Sequence, residues 1–426
     1  MERNDPRYQA YVEILKEELI PAMGCTEPIA LAYAAAKARE VLGVLPDSVQ
    51  LQVSGSIIKN VKSVIVPNTG HLKGMEAAAA AGIIAGSAEK ELEVISEVSE
   101  EKKSAIRDYL QTVPITIEHT EQGHVFDIVV TERCGQDYAR VRIADYHTNI
   151  CRIEKNGTVL YEVPLLDETV QEDARADRSL LNMQDIWDFA ETADLRDVAD
   201  LLERQIRYNN AIAEEGLLGD YGANIGRVLL TTYGNDVSNR AKAKAAAGSD
   251  ARMNGCELPV IINSGSGNQG ITCSVPLIEY AKELHSGKEK LYRALIISNL
   301  VAIHEKTGIG TLSAYCGAVS AGAGAGAGIV YLCGDGYQAA IHTVVNALAI
   351  VSGIVCDGAK ASCAAKIASS VDAALLGYNM YKCNQEFKGG DGIVMKDIET
   401  TIKGIGRLGK DGMRQTNEEI IQLMMS

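Results

Sequence analysis

The sequence predicts an α+β fold, with a larger, mainly helical domain and a smaller β-rich portion in the N-terminal half. Three observations predict it. Residues 8–42 and 178–252 combine helical periodicity with high helix propensity. Between them lie alternating, β-branched runs such as "SVQLQVSGSI", "VPITIEHT" and "HVFDIVVTE", which suit half-buried strands. Beyond about residue 257 small residues dominate, helical in pattern and broken by glycine. The expected organisation is an N-terminal helical segment at 1–45, packed with the larger domain. A β-rich portion with interspersed helices follows at 46–168, and the helical domain at 169–426.

Along the chain, "YQAYVEILKEELI" is a helix, "PAMGCTE" a break and "PIALAYAAAKAREVLG" a second helix. Thr26 is expected as its N-cap, with Pro28 in the first turn, where the missing N–H is harmless. "SVQLQVSGSI" and "VKSVIVP" are expected as strands closed by the turn "NTGH", and "GMEAAAAAGIIAGSA" as helix. "LEVISEVS" alternates again, "EEKKSAIRDYLQ" is a short helix, and "EKNGTV" is a hairpin signal. The low-complexity "AVSAGAGAGAGIV" suits close helix packing, or approach of backbone to a bulky ligand.

A net charge of −15 and the absence of a basic cluster with interleaved aromatics argue against a nucleic-acid partner. The longest apolar stretch, "AAIHTVVNALAIVSGIVC", contains His342 and Asn346 and falls short of a membrane span. The polar, acidic start "MERNDPRYQAYVEILKEEL" is read as neither a signal nor a transit peptide, so a cytoplasmic location is expected. The ten cysteines lack the dense spacing of a secreted disulfide scaffold. In a reducing compartment they divide among packing, metal ligation and catalysis.

Three constellations carry chemistry. Cys25 stands where a helix begins, beside outward-pointing N–H groups and the positive end of the helix dipole. A thiol there ionises more easily and can serve as base, nucleophile or ligand; the alternative is a small buried hydrophobe. Gly265-x-Gly267-x-x-Gly270 has the outline of a dinucleotide turn, yet the segment after it looks helical rather than like a second strand. Its alternative is a loop whose N–H groups, with Ser264, Ser266, Asn268 and Gln269, hold a small carboxylate. Cys316, Cys356 and Cys363 follow the spacing C-x39-C-x6-C, each beside glycine, alanine or aspartate. Three such thiolates suit an iron–sulfur cluster with one iron lacking a protein ligand, while unrelated buried cysteines would give the same spacing.

Four motifs, "GCTEPIALAYAAAKA", "GSGNQGITCSVP", "HEKTGIGTLSAYCGAVSAGAGAGAG" and "GIVCDGAKASCAAKIASS", occur in order over nearly the whole chain. Together they resemble the L-cysteine desulfidase family, itself related to the helical catalytic domain of the iron–sulfur L-serine dehydratases. The resemblance implies a [4Fe-4S] cluster on Cys316, Cys356 and Cys363, a catalytic base at Cys25, and a substrate loop at "SGSGNQG". It also implies β-elimination of L-cysteine to hydrogen sulfide, ammonia and pyruvate. No cysteine follows Cys383, so the fourth iron is expected to be open. A homodimer is expected from the class.

Thr26, Asn268 and Gln269 are candidates for fixing the amino-acid substrate, and Glu27 for its ammonium group or simply for the helix dipole. His304, Glu305 and Lys306 suit a solvated helix end, with substrate contact as the alternative. His71 and Lys73 are explained by a turn, and Cys273 by packing. Three other functions compete. One is an iron–sulfur L-serine or L-threonine dehydratase. A pyridoxal phosphate enzyme is disfavoured because no lysine stands out. A non-catalytic iron–sulfur redox sensor is the third.

Overall fold

A computed structural model of the chain describes residues 1–120, 124–165, 175–310 and 312–425. The fold is α+β and mainly helical, with 60% of residues in helices and 12% in strands. The N-terminal half runs α1 (Pro6–Glu18), β1 (Pro21–Met23), α2 (Thr26–Leu42), β2 (Ser48–Val53), α3 (Gly55–Val61), α4 (Gly74–Ala85) and α5 (Glu100–Thr112). Strands β3 (Ile115–His119), β4 (Asp127–Cys134), β5 (Asp137–Ala144), β6 (Ile150–Lys155) and β7 (Thr158–Glu162) follow. The expected boundary at 168/169 lies outside the described residues.

The second half runs α6 (Met183–Thr192), α7 (Ala199–Leu218), α8 (Ile225–Tyr233), α9 (Val237–Met253), β8 (Pro259–Ile261), α10 (Gly267–Glu283) and α11 (Lys288–Ile309). It ends with α12 (Gly317–Cys333), α13 (Tyr337–Val351), α14 (Ser362–Lys382), α15 (Ile398–Arg407) and α16 (Arg414–Met425). Among the described residues, no helix is long and apolar enough to cross a membrane.

Six strands form one mixed sheet in the order β3-β2-β4-β5-β6-β7, with only β2 and β3 parallel. Period-2 patterning sets its inner face: Val49, Leu51 and Val53 on β2 and Ala139, Val141 and Ile143 on β5 are buried. Helix α2 packs on β4 and β5 and on α4, joining the sheet to a single core that continues into the bundle. Asn156 (φ 50°) and Gly157 (φ 81°) make the β6–β7 turn, as "EKNGTV" predicts.

The expected strand "SVQLQVSGSI" ends at Val53, and its last three residues begin helix α3, which is buried on every side, a case in which a short apolar run carries no usable period. Two further expected strands are absent. "VKSVIVP" contributes only an isolated bridge between Ile65 and Lys73. "LEVISEVS" likewise forms no strand, because its backbone is engaged in turn bonds such as Val94 N–H to Glu91 O and Ser96 N–H to Glu93 O.

The alanine- and glycine-rich run is α12, and its glycines face neighbouring helices. A Cβ on Gly322 would meet Ser370 at 2.8 Å, and one on Gly326 would meet Ala374 at 2.8 Å. One on Gly324 would collide with the Ser298 carbonyl of α11. Backbone cannot move aside as a flexible side chain can, so Gly324→Ala is expected to destabilise by about 1–3 kcal/mol. Gly353, with nothing within 4 Å of the same position, is the control, and Gly353→Ala should stay within about 0.5 kcal/mol. Urea unfolding of the two variants checks this.

Candidate active site

Two short pairings bring the motifs together. Strand β1 pairs antiparallel with β8, Pro21 opposite Ile261 and Met23 opposite Pro259, so the N-terminus of α2 lies beside the loop that starts α10. Tyr315 bridges Val355, with Cys316 N–H donating to Ile354 O (3.2 Å) and Cys356 N–H to Ala314 O (2.6 Å). Cys316 is the N-cap of α12, and Cys363 lies in the first turn of α14. Cys25 packs with Val64 and Met253, against which Cys363 also rests. All four cysteines line one cavity of about 110 Å3, together with Thr26, Glu27, Ser266, Asn268 and Gln269. The sequence candidates for the site therefore converge.

The N-cap of α2 is Cys25 rather than Thr26, and its side chain makes no capping bond. The thiol instead donates to Glu27 Oε2 at 3.1 Å. Thr26, now the first helical residue, donates from Oγ1 to Gly265 O at 2.8 Å and lies 3.1 Å from Glu27 Oε2. Asn60 Nδ2 donates to Glu27 Oε1 at 3.2 Å, and His147 Nε2 stands 3.9 Å from the same oxygen. Burial works to raise the Glu27 carboxyl, but His147 and the Cys25 thiol prevail and hold it at about 2. The expectation of an easily ionised Cys25 is reversed. Burial first, then the Glu27 charge, push this thiol well up, with Arg252 opposing. Burial and neighbouring Cys356 likewise push Cys316 up to about 12.

The Gly265-x-Gly267-x-x-Gly270 turn does not belong to a βαβ unit, since among the described residues β8 pairs only with β1, and antiparallel. Ser264 (φ 48°) and Gly265 (φ 75°) are left-handed, and a side chain on Gly265 would strike the His147 ring at 2.9 Å. Ser266 is the N-cap of α10. Gln269 is buried with its Oε1 unpartnered, and its amide occupies the space a Cβ on Gly317 would need, 2.6 Å away. Four helix N-termini, those of α2, α10, α12 and α14, thus face one cavity and favour negative charge there.

Several site residues escaped the sequence patterns. Asn60, His147 and Arg252 line the cavity, and so does Lys306, which was expected at a solvated helix end. Burial pulls the Lys306 ammonium down to about 8 against the pull of Cys356 and Cys316. Lys59, fully buried, donates to Asn417 Oδ1 (2.6 Å) and faces the carbonyls of Ser313 and Cys356 (3.4 Å each). The one available signal was polar residues embedded in small-residue runs, as in "AAAGSDARM". His304 pairs with Glu399 at 2.8 Å, away from the cavity, and Cys273 packs against Ala302 and Ala321 as expected. His71 and Lys73 lie outside the cavity lining. A larger cavity of about 890 Å3 shares His147, Ser264, Gly265 and Lys306 with the inner one, so these residues form a common wall.

The serine dehydratase alpha chain family matches residues 89–422. The protein belongs to that family. This serine dehydratase alpha chain homologue is also similar over its whole length to UPF0597 proteins. The one from Desulfitobacterium hafniense is 61% identical over 426 residues, covering 100% of this chain and 99% of the relative. That of Lachnoclostridium phytofermentans is 52% identical, covering 98% of this chain and 100% of the relative. That of Treponema denticola is 47% identical, covering 100% of both. The family points to a lyase of the dehydratase type. Its match contains the 264–269 loop and the three cysteines at 316, 356 and 363, while Cys25, Thr26 and Glu27 precede it.

Glu27 supplies a test of the site's electrostatics. Its carboxyl falls from an ordinary 4.5 to about 2 in the folded chain. The stabilisation is therefore complete above pH 4.5 and lost as pH falls towards 2. Glu27→Gln should lower the urea midpoint relative to wild type at pH 7, and the gap should narrow at pH 3.

Proposed function

We propose that this protein is an iron–sulfur-dependent lyase that eliminates the β-substituent of a small amino acid, with L-cysteine as substrate and hydrogen sulfide, ammonia and pyruvate as products. The observation that carries it is the gathering of Cys316, Cys356 and Cys363 from separate segments onto the cavity that also holds Cys25. Among the described residues, no group of three or more His, Cys, Asp or Glu side chains could hold a metal ion. Thiolates on one ion lie within about 4 Å of each other, because each metal–sulfur bond is about 2.3 Å. Thiolates that each take a different iron of a larger core stand farther apart. An all-sulfur donor set facing a common cavity therefore fits a [4Fe-4S] core held by Cys316, Cys356 and Cys363. When bound, it would supply a Lewis-acidic iron that favours departure of the β-substituent.

The chain's own residues manage the protons. At rest the Cys25 thiol donates to Glu27 Oε2; once it has lost that proton to water, its sulfur is a strong base that takes the proton from Cα. The re-formed thiol then protonates the departing sulfide, and aminoacrylate tautomerises and hydrolyses to pyruvate and ammonia. Glu27, beside Asn60 and His147, stays charged and faces the substrate ammonium. Thr26, Ser266, Asn268 and Gln269 orient the amino acid along the loop.

The family's description favours a second reading, in which hydroxide leaves from L-serine or L-threonine by the same chemistry. Anaerobic reconstitution followed by pyruvate assays on L-cysteine and L-serine separates the two. A kcat/KM for L-cysteine at least tenfold above that for L-serine is expected; the reverse order makes the protein a dehydratase. Cys316→Ala, Cys356→Ala and Cys363→Ala should each lose iron and turnover, and full iron content in all three removes the cluster assignment. Cys25→Ser should keep the iron while kcat falls by about 10²–10⁴. Turnover unchanged in this variant would take the proton transfer away from Cys25. A protein that holds the cluster and turns over neither amino acid would be the redox sensor.

A further inference from the structure

Arg252, in the last turn of α9, is 2% exposed and lines the inner cavity. Its Nη1 donates to Asn268 Oδ1 at 3.1 Å. Among the described residues, its Nε and Nη2 have no hydrogen-bond partner. Those two atoms form one edge of the guanidinium fork, the edge that takes both oxygens of a carboxylate at once. Leaving two charged donors buried and empty is expensive, which marks the edge as built for something that binds. Glu27, the one acid among the described residues lining this cavity, is already engaged by Cys25 and Asn60, with His147 3.9 Å away. Gly267 packs against the guanidinium, where a side chain would collide with Arg252 Nε and come 2.7 Å from Cζ, so the missing Cβ is what lets the fork lie at the start of α10. Gly267 also begins α10, whose N-terminal end favours an anion at the same place.

We propose that Arg252 is the anchor for the α-carboxylate of the substrate, with Asn268 as the positioning residue that fixes the plane of the fork. This rests on the reading of the protein as an amino-acid lyase. It assigns the two ends of the zwitterion to two different lining groups of the cavity. The carboxylate lies on Arg252, while the ammonium faces Glu27, and Cα is left between the anchor and the Cys25–Glu27 pair. Lysine would not serve as well, because an ammonium is a point charge without a fork.

The reconstituted holoenzyme tests this by calorimetric titration with two amino acids that have no leaving group. L-Alanine has the carboxylate and L-alaninamide lacks it. Wild type should bind L-alanine about 100-fold more tightly than the amide, and Arg252→Met should lose that discrimination. Arg252→Lys should recover part of it, and its KM for L-cysteine should rise far more than its kcat falls. Should Arg252→Met fail to fold, the partial loss in Arg252→Lys gives the same reading. An Arg252→Met protein with wild-type iron content that still discriminates fully overturns the proposal, as does a wild type that binds the two compounds equally. Discrimination through Arg252 without pyruvate from either L-cysteine or L-serine would sink the proposed reaction and leave the anchor standing.

Discussion

Buried backbone must find hydrogen-bond partners, and in this molecule that requirement assembles the site. The segments leading into α2, α10 and α12, and the one just ahead of α14, run through the interior as short non-helical stretches. Each satisfies its N–H and C=O groups on another of the set. β1 pairs with β8, and the Tyr315 segment pairs with the Val355 segment. These pairings are only a few residues long, yet they decide where four helices start. Because side chains at a helix start project into the space before it, four starts sharing one space produce a cavity lined by cysteines and donors.

Close approach of the helices is the second condition, and it explains the composition. A chain with leucine or phenylalanine at these positions would hold its helices about 8–10 Å apart with bulky contacts between them. Here α2, α4 and α12 are built from alanine and glycine, and the backbones come near enough that most added Cβ atoms along α12 would clash. Tight packing also lowers the freedom of each helix to shift along its axis, which keeps the N-termini in register with one another. The low-complexity run is thus a packing device that acts on the site from a distance.

Much of this was legible in the sequence because the signals are local. Cys25, Cys316 and Cys363 sit beside glycine or other small residues at helix starts, and Asn156-Gly157 spells its own turn. What was not legible depends on partners remote in sequence. "PAMG" is three strand residues followed by a turn, but its partner, β8, lies in the other half of the chain. "GSIIKNV" could be strand or helix until its neighbours bury it on all sides. Arg252, His147 and Asn60 come from a helix, a loop and another helix that share no motif, and only their convergence gives them meaning. Lys306 departs from expectation for a related reason: a lysine near a helix end is solvated unless other elements cover it, and this one is buried on the cavity wall.

The behaviour of Cys25 shows which physical effect governs the interior. A helix N-terminus favours a thiolate by about 0.3–1 kcal/mol, rising to about 2 where partly buried. Full burial shifts an ionisable group by up to about 3–5 pH units, each about 1.4 kcal/mol. Desolvation therefore outweighs the dipole several-fold, and the Glu27 charge adds to it. The cost that keeps the sulfur protonated at rest also makes its thiolate a stronger base when it forms. Glu27, held charged by His147 and its hydrogen-bond donors, accepts the hydrogen bond of the resting thiol. The same desolvation makes the unpaired edge of Arg252 costly, and that cost is the physical ground for proposing a carboxylate against it.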